Sequence, residues 1–272
     1  MYMYEFAYRR PKTLAEAAGL FGEFDNPSFV SGGHTLIPTM KNRLAAPDVL
    51  IDLRAIPELN GIRRTGDRLE IGAATTHFET STSEAVKEAI PALAALAGSI
   101  ADPQVRHVGT MGGSVANNDP SADYPAAVLS LGADVVTDRR SIPADDFFDG
   151  LFGTALEEGE IILRFSFPLP DFAGYAKLCS QASRYPVAGS FVSRRGTGVR
   201  VGVTGAGNDG VFRWTEAEAA LAADFTPEAV EGMEPDAGGM IADLNGSAEY
   251  RAHLVAVMTR HALRSPGTAY VR

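Results

Sequence analysis

Hydrophobic positions along this chain come in short blocks whose period changes from one block to the next. Thr13-Leu14-Ala15-Glu16 has the form of a capping box and opens a helix to about Gly22; behind Pro27, the run Ser28-Phe29-Val30 reads as a buried strand. A short helix over residues 39–44 and a strand over 49–53 complete a small α+β unit to about residue 54. Gly61-Ile62-Arg63-Arg64 and Arg68-Leu69-Glu70-Ile71-Gly72 flank Thr65-Gly66-Asp67 as the two arms of a hairpin. Ser81-Thr82-Ser83-Glu84 is a second capping-box pattern; its helix runs to Ile90, Pro91 restarts one through Ile100, and Asp102-Pro103 closes it. A helix over residues 125–131 and strands over 133–137 and 160–165 lead to Pro168-Leu169-Pro170, where we place the domain boundary.

The last hundred residues have a different texture. Residues 191–195, 199–204 and 211–214 read as antiparallel strands, and residues 215–222, 227–231 and 248–263 as helices. In the last helix Tyr250, Leu254, Val257, Met258 and His261 recur at helical spacing, which predicts a core face and a structural role for His261. The expected architecture is α+β: a first domain over residues 1–170, with subdomains at about 1–54 and 55–170, then a C-terminal domain over 171–272.

Two stretches fit no apolar period although apolar segments flank them. One is Ser31-Gly32-Gly33-His34-Thr35-Leu36-Ile37-Pro38. The other runs from Thr110-Met111-Gly112-Gly113-Ser114 through Asn117, Asn118 and Asp119 to Asp123. Adjacent glycines let backbone N–H groups approach another body closely, and such nests bind phosphate or diphosphate without a lysine. A single stretch of this kind is equally readable as a solvated turn; two, about 80 residues apart, point to a ligand.

The strings SGGHTLIPTMK and TMGGSVANNDPSADYPAA resemble the flavin-binding medium subunits of the molybdenum hydroxylases, the carbon monoxide dehydrogenase and xanthine dehydrogenase family, with weaker similarity along nearly the whole chain. The resemblance implies a two-subdomain FAD-binding domain of the vanillyl-alcohol-oxidase (PCMH) type and a small C-terminal domain of antiparallel sheet plus helices. It implies non-covalent FAD, held through Ser31, Gly32, Gly33, His34, Thr35 and Leu36 in the first stretch. In the second it implies Thr110, Gly112, Gly113, Ser114, Asn117, Asp119 and Asp123, and elsewhere Ala101, Ile162, Lys177 and Tyr185. Lys177 is expected near the flavin and Tyr185 over one face of its ring; without the resemblance they read as a surface lysine and a packed tyrosine. The implied partners are a large molybdopterin subunit and a small subunit with two [2Fe–2S] clusters, assembled as a dimer of heterotrimers.

Composition narrows this further. A formal net charge of -10 without a compensating Lys/Arg run argues against nucleic acid or an anionic membrane as partner. No apolar stretch is long enough to span a bilayer, and Met1-Tyr2-Met3-Tyr4-Glu5 lacks the form of a signal peptide, so a cytoplasmic protein is expected. One cysteine, Cys179, supports neither an internal disulfide nor an iron–sulfur cluster, and the five histidines lack metal-ligand spacing. Any redox group is then an organic cofactor, and no catalytic acid–base pair is needed on this chain.

Gly205-Ala206-Gly207-Asn208-Asp209-Gly210 matches a dinucleotide fingerprint, yet residues 211–214 follow as a strand and a capping box at Thr215-Glu216-Ala217-Glu218 opens a helix only afterwards. A diphosphate would meet no helix N-terminus at those glycines, so a hairpin turning at Asp209-Gly210 is expected. Two rival functions remain: a self-sufficient FAD-dependent oxidase of the same superfamily, which ordinarily carries a larger substrate domain, and a non-enzymatic flavin-binding module.

Overall fold

The computed structural model describes residues 3–272; Met1 and Tyr2, part of the N-terminal segment discussed above, lie outside them. The first unit consists of β1 (Ala7–Arg9), α1 (Leu14–Glu23), β2 (Pro27–Val30), α2 (Leu36–Lys41) and β3 (Val49–Asp52). β3 lies between β1 and β2 and runs parallel to both, which is why all four of its residues are buried. Thr13 caps α1 by accepting from the Glu16 N–H. α2 begins three residues earlier than expected, drawing Leu36 out of the glycine stretch; Pro38 sits in its first turn, where a missing N–H costs nothing.

The second unit contains β4 (Ile62–Thr65), β5 (Arg68–Gly72), α3 (His77–Thr82), α4 (Glu84–Ala89), α5 (Pro91–Ser99), α6 (Pro103–Arg106), α7 (Met111–Asn117), α8 (Asp123–Ser130), β6 (Asp134–Thr137), β7 (Ser141–Pro143) and β8 (Ile162–Pro168). Its antiparallel sheet has the order β4-β5-β8-β6-β7. The capping box falls at Thr76 and Glu79, not at Ser81 and Glu84. The sequence carries both patterns; Thr76 is held extended by its bridge to Thr110, whereas Ser81 and Thr82 end α3 with their hydroxyls donating back to the Phe78 carbonyl. Asp102 starts a helix, α6, where the sequence suggests only a stop.

The third unit contains β9 (Phe172–Cys179), β10 (Pro186–Arg195), β11 (Gly198–Thr204), β12 (Phe212–Arg213), α9 (Thr215–Ala223), α10 (Ala248–Arg264) and β13 (Ala269–Val271), with sheet order β12-β11-β10-β9-β13. Between Gly205 and Gly210 the chain turns, and β12 pairs antiparallel with β11, so no helix opens at those glycines. The capping box expected at Thr215 does not form: Trp214 precedes the helix without a side-chain cap, because Glu218 instead accepts from Arg213 and the Val201 N–H.

α10 is rotated from its expected face. Leu254 and Met258 are buried and Val257 partly so, but Tyr250 is 45 % exposed and His261 stacks on Tyr270 at 4.0 Å. Arg251 faces inward instead, its guanidinium satisfying the Val187 and Gly205 carbonyls and the Asp243 carboxylate.

The third sheet is packed on both sides. Gly174 lies so close to α10 that a Cβ there would stand 2.0 Å from the Ala262 carbonyl, and one on Gly202 would stand 2.3 Å from the Ala126 carbonyl of α8. The Ser193 hydroxyl donates to the Ser130 carbonyl of α8 and the Ser130 hydroxyl to the Arg200 carbonyl of β11, while Tyr175 and Phe191 enter the same core as α5 and α8. No helix among the described residues is long and apolar enough to cross a membrane.

Glu160, ahead of β8, accepts from Thr137, Arg140 and the Glu157 N–H, and its bond to Arg140 holds the carboxyl down at about 2. A carboxyl lowered by folding stabilises the native state above its unfolded pKa, and that contribution is lost as pH falls from about 4.5 toward 2. Glu160→Gln is therefore expected to lower the urea midpoint at pH 7 and to flatten its decline through this acid window. Urea titrations at stepped pH test this, and an unchanged acid limb would contradict it.

Candidate functional site

A cleft of about 360 Å³ lies where the two glycine stretches meet. The first stretch forms one wall. Gly33 has φ +67°, and the turn it makes leads into α2. The N–H groups of Gly32, Gly33, His34, Thr35 and Leu36 have no protein acceptor among the described residues, and the Ile37 N–H returns to Gly33 O at 3.0 Å. A row of unpaired N–H donors at a short helix start is the arrangement expected of an anion nest.

The second stretch differs from the loop that its sequence suggests, because it is helix α7. Its N–H groups are already used: Met111 donates to Thr75 O, Gly112 to Ala73 O, Gly113 to the Thr110 hydroxyl and Ser114 to Thr110 O. Gly-Gly is tolerated because both glycines fall in the first turn, where Thr110 supplies the cap.

Each glycine therefore has its own reason. A Cβ on Gly32 would stand 2.6 Å from the Val108 carbonyl and 2.7 Å from Gly109 Cα, so this glycine lets the two stretches touch. One on Gly112 would stand 2.6 Å from the Ala73 carbonyl; Gly112 is buried and does not line the cleft. Gly113 is exposed and faces the cleft, and a Cβ on it would meet only the Thr110 hydroxyl, at 3.0 Å.

The remaining sequence candidates divide in the same way. Ser31, His34, Thr35, Leu36, Ala101, Thr110 and Ser114 line the cleft, as do Asn117, Asp119, Asp123 and Tyr185. Ile162 does not; it is buried in β8. Lys177 does not line it either. It is fully buried, its ammonium donating to Asp123 Oδ1 at 2.7 Å, Ser99 O at 3.2 Å and Arg184 O at 3.3 Å. Lys177, expected near the flavin, thus sits one layer behind the cleft wall and reaches the cleft only through Asp123. The Tyr175 hydroxyl donates to the same Asp123 oxygen at 2.6 Å, and burial with the Asp123 charge pushes Tyr175 well above its usual range, keeping it a donor. Oδ1 is saturated by these two donors, which leaves Oδ2 to serve the cleft.

Tyr185 is 49 % exposed, on the turn between β9 and β10; burial and the Asp119 and Asp123 charges raise its pKa. Asp119, Ser183 and Tyr185 also border a second cavity of about 250 Å³, shared with Asp243 and Arg251. Sequence reasoning misses His77, Val105, Gly109 and Arg184 as lining residues. Gly109 carries a signal, being a lone glycine just before the second stretch; His77 carries none beyond its failure to match a metal spacing.

These geometries separate two substitutions that the sequence alone treats alike. Gly113→Val should fill the cleft and cost FAD binding at least tenfold with little change in unfolding midpoint. Gly112→Ala should instead destabilise the fold by about 1–3 kcal/mol through overpacking against Ala73. Flavin titration and urea unfolding of both variants check this; full FAD content in Gly113→Val would contradict the open-face assignment.

Residues 4–170 match the family described as the FAD binding domain in molybdopterin dehydrogenase. The carbon monoxide dehydrogenase medium chain of Hydrogenophaga pseudoflava is 36 % identical, over 96 % of each chain. The nicotine 6-hydroxylase medium subunit of Paenarthrobacter nicotinovorans is 34 % identical, also over 96 % of each. Among solved structures, a chain of the reconstituted CO dehydrogenase from Oligotropha carboxidovorans superposes with a TM-score of 0.88 at 32 % identity, covering 98 % of this chain and 99 % of that one. The unpaired N–H row and the open Gly113 face suit the diphosphate-bearing cofactor that this family takes, and the chain belongs to the FAD-binding medium subunits of the molybdenum hydroxylases.

Proposed function

We propose that this chain is the electron-exit subunit of a heteromeric molybdenum hydroxylase. A large molybdopterin subunit oxidises the organic substrate, and a small subunit with [2Fe–2S] clusters relays the electrons to the FAD held here. The observation that carries this reading is the match to medium chains over 96 % of this chain, which leaves no separate substrate domain within it. That weighs against the self-sufficient oxidase as well.

FAD, when bound, supplies a group able to take electrons singly and release them in pairs. The chain's own residues do the rest. The N–H row from Gly32 to Leu36 would hold the diphosphate, Gly113 would leave room for it, and Asp123 Oδ2 would be free to accept from an N–H or O–H of the cofactor. Lys177 balances the Asp123 charge and, through Arg184 O, holds the turn that carries Tyr185. Tyr185 stands between the cofactor cleft and the second cavity, and we assign the approach of the external acceptor to that side.

Purification of the chain from its native source tests the proposal. It should arrive with two further polypeptides, molybdenum and iron, as a dimer of heterotrimers, and acid precipitation should release all of its flavin. The isolated chain, reloaded with FAD, should oxidise none of the complex's organic substrates. Recovery as an active monomer free of molybdenum and iron would refute the subunit reading.

A further inference from the structure

His77 is placed by the capping box at the first residue of α3, and its own N–H donates to Gly109 O at 2.9 Å. The residue is only 5 % exposed, its ring lies 5.3 Å from the Tyr124 ring centroid, and it borders the cofactor cleft. Gly109 makes its slot: a Cβ there would stand 2.7 Å from Nε2. Nδ1 is buried without a hydrogen-bond partner, whereas Nε2 is not among the buried unpartnered atoms.

A neutral imidazole must carry one N–H. On Nδ1 that N–H would be buried without an acceptor, at a cost of about 1–3 kcal/mol. The proton therefore belongs on Nε2, which is not among the buried orphaned atoms and sits on a side chain that borders the cleft. Burial, with His34 and Arg106 nearby, pulls the ring's pKa down to about 4, so it meets a ligand as a neutral donor. The first glycine stretch, whose N–H row forms the anion nest, lines the same cleft.

We propose that His77 is a cofactor-binding residue whose Nε2–H donates to an oxygen of the bound dinucleotide's diphosphate. This rests on the FAD reading above and adds a side-chain donor to a nest otherwise built from backbone. Since the ring is neutral and remains a donor, its contribution is the same across the neutral pH range. Arg106, His34, Asp119, Asp123, Arg184 and Tyr185, with Tyr124 packed against the ring, are the charged or titratable groups that share the cleft region with it.

The experiment uses the flavin-free full-length chain with FAD and ADP as probes. His77→Phe should weaken both at least tenfold, while His77→Gln, which keeps an N–H near the Nε2 position, should stay within about threefold of wild type. Long-range proton–nitrogen NMR should show the resonance absent from His77→Phe as the Nε2–H tautomer at neutral pH, with its Nε2 shift moving on ADP addition. Equal FAD and ADP affinity in a folded His77→Phe chain would overturn the inference, as would loss of FAD binding with ADP binding intact. An Nδ1–H tautomer, or His77→Gln as weak as His77→Phe, would overturn it too. A wild-type chain that takes up no FAD would instead refute the cofactor reading on which it stands.

Discussion

The buried ammonium of Lys177 is the interaction on which the cleft depends. A fully desolvated charge costs several kcal/mol unless it is paired and its hydrogen bonds are satisfied. Here one carboxylate and two carbonyls meet that requirement, and each comes from a different wall: Asp123 from the start of α8, Ser99 from the end of α5, Arg184 from the β9–β10 turn. Ser99 adjoins Ile100 and Ala101, where Ala101 is held at φ +43° against the cleft with its carbonyl bound by Arg106. Arg184, also left-handed at φ +63°, precedes Tyr185. One cation therefore ties together three segments, two of which also share a hydrophobic core.

The same network fixes what the cleft can offer chemically. Tyr175 and Lys177 both donate to Asp123 Oδ1, so only the other oxygen is available to a ligand. The N–H row after Gly32 offers donors to the same cleft. A ligand there thus meets both unpaired donors and a carboxylate acceptor. That combination suits a molecule with an anionic diphosphate and a ring system bearing N–H or O–H groups.

Much of this is legible in the sequence, and the failures have physical causes. Both glycine stretches announce the site because two of them, about 80 residues apart between apolar segments, are hard to read as turns alone, although Gly112 proves to be a packing glycine. The hairpin at Asp209-Gly210 is legible because a strand, not a helix, follows it. α7 is not, since Gly-Gly reads as a break unless Thr110 is known to cap it. β9 escapes recognition as a strand because Gly174 and Lys177 violate the pattern of a buried run; the first is dictated by the approach of Ala262 and the second by Asp123, both distant in sequence. The α10 face is misjudged for the same reason, as Arg251 is buried only because carbonyls from β10 and Gly205 await it.

The match to the FAD-binding family ends at residue 170, yet the cleft does not. Ser183, Arg184 and Tyr185 line it, and Tyr175 and Lys177 support it, all from the third sheet and its turn. α8 is the shared element: its N-terminal Asp123 faces the cleft, and Ala126 and Ser130 pack on β10 and β11 so closely that Gly202 cannot carry a side chain. Along β9 alternate residues serve different partners, Tyr175 and Lys177 turning toward α8 and its carboxylate while Gly174 and Ala176 meet α10. A one-residue slip of β9 would put Lys177 into the apolar core against α10 and strip Asp123 of both donors. The register of this strand is therefore a condition for the cleft, and α10, which clamps the strand's other face, supports the cleft without lining it.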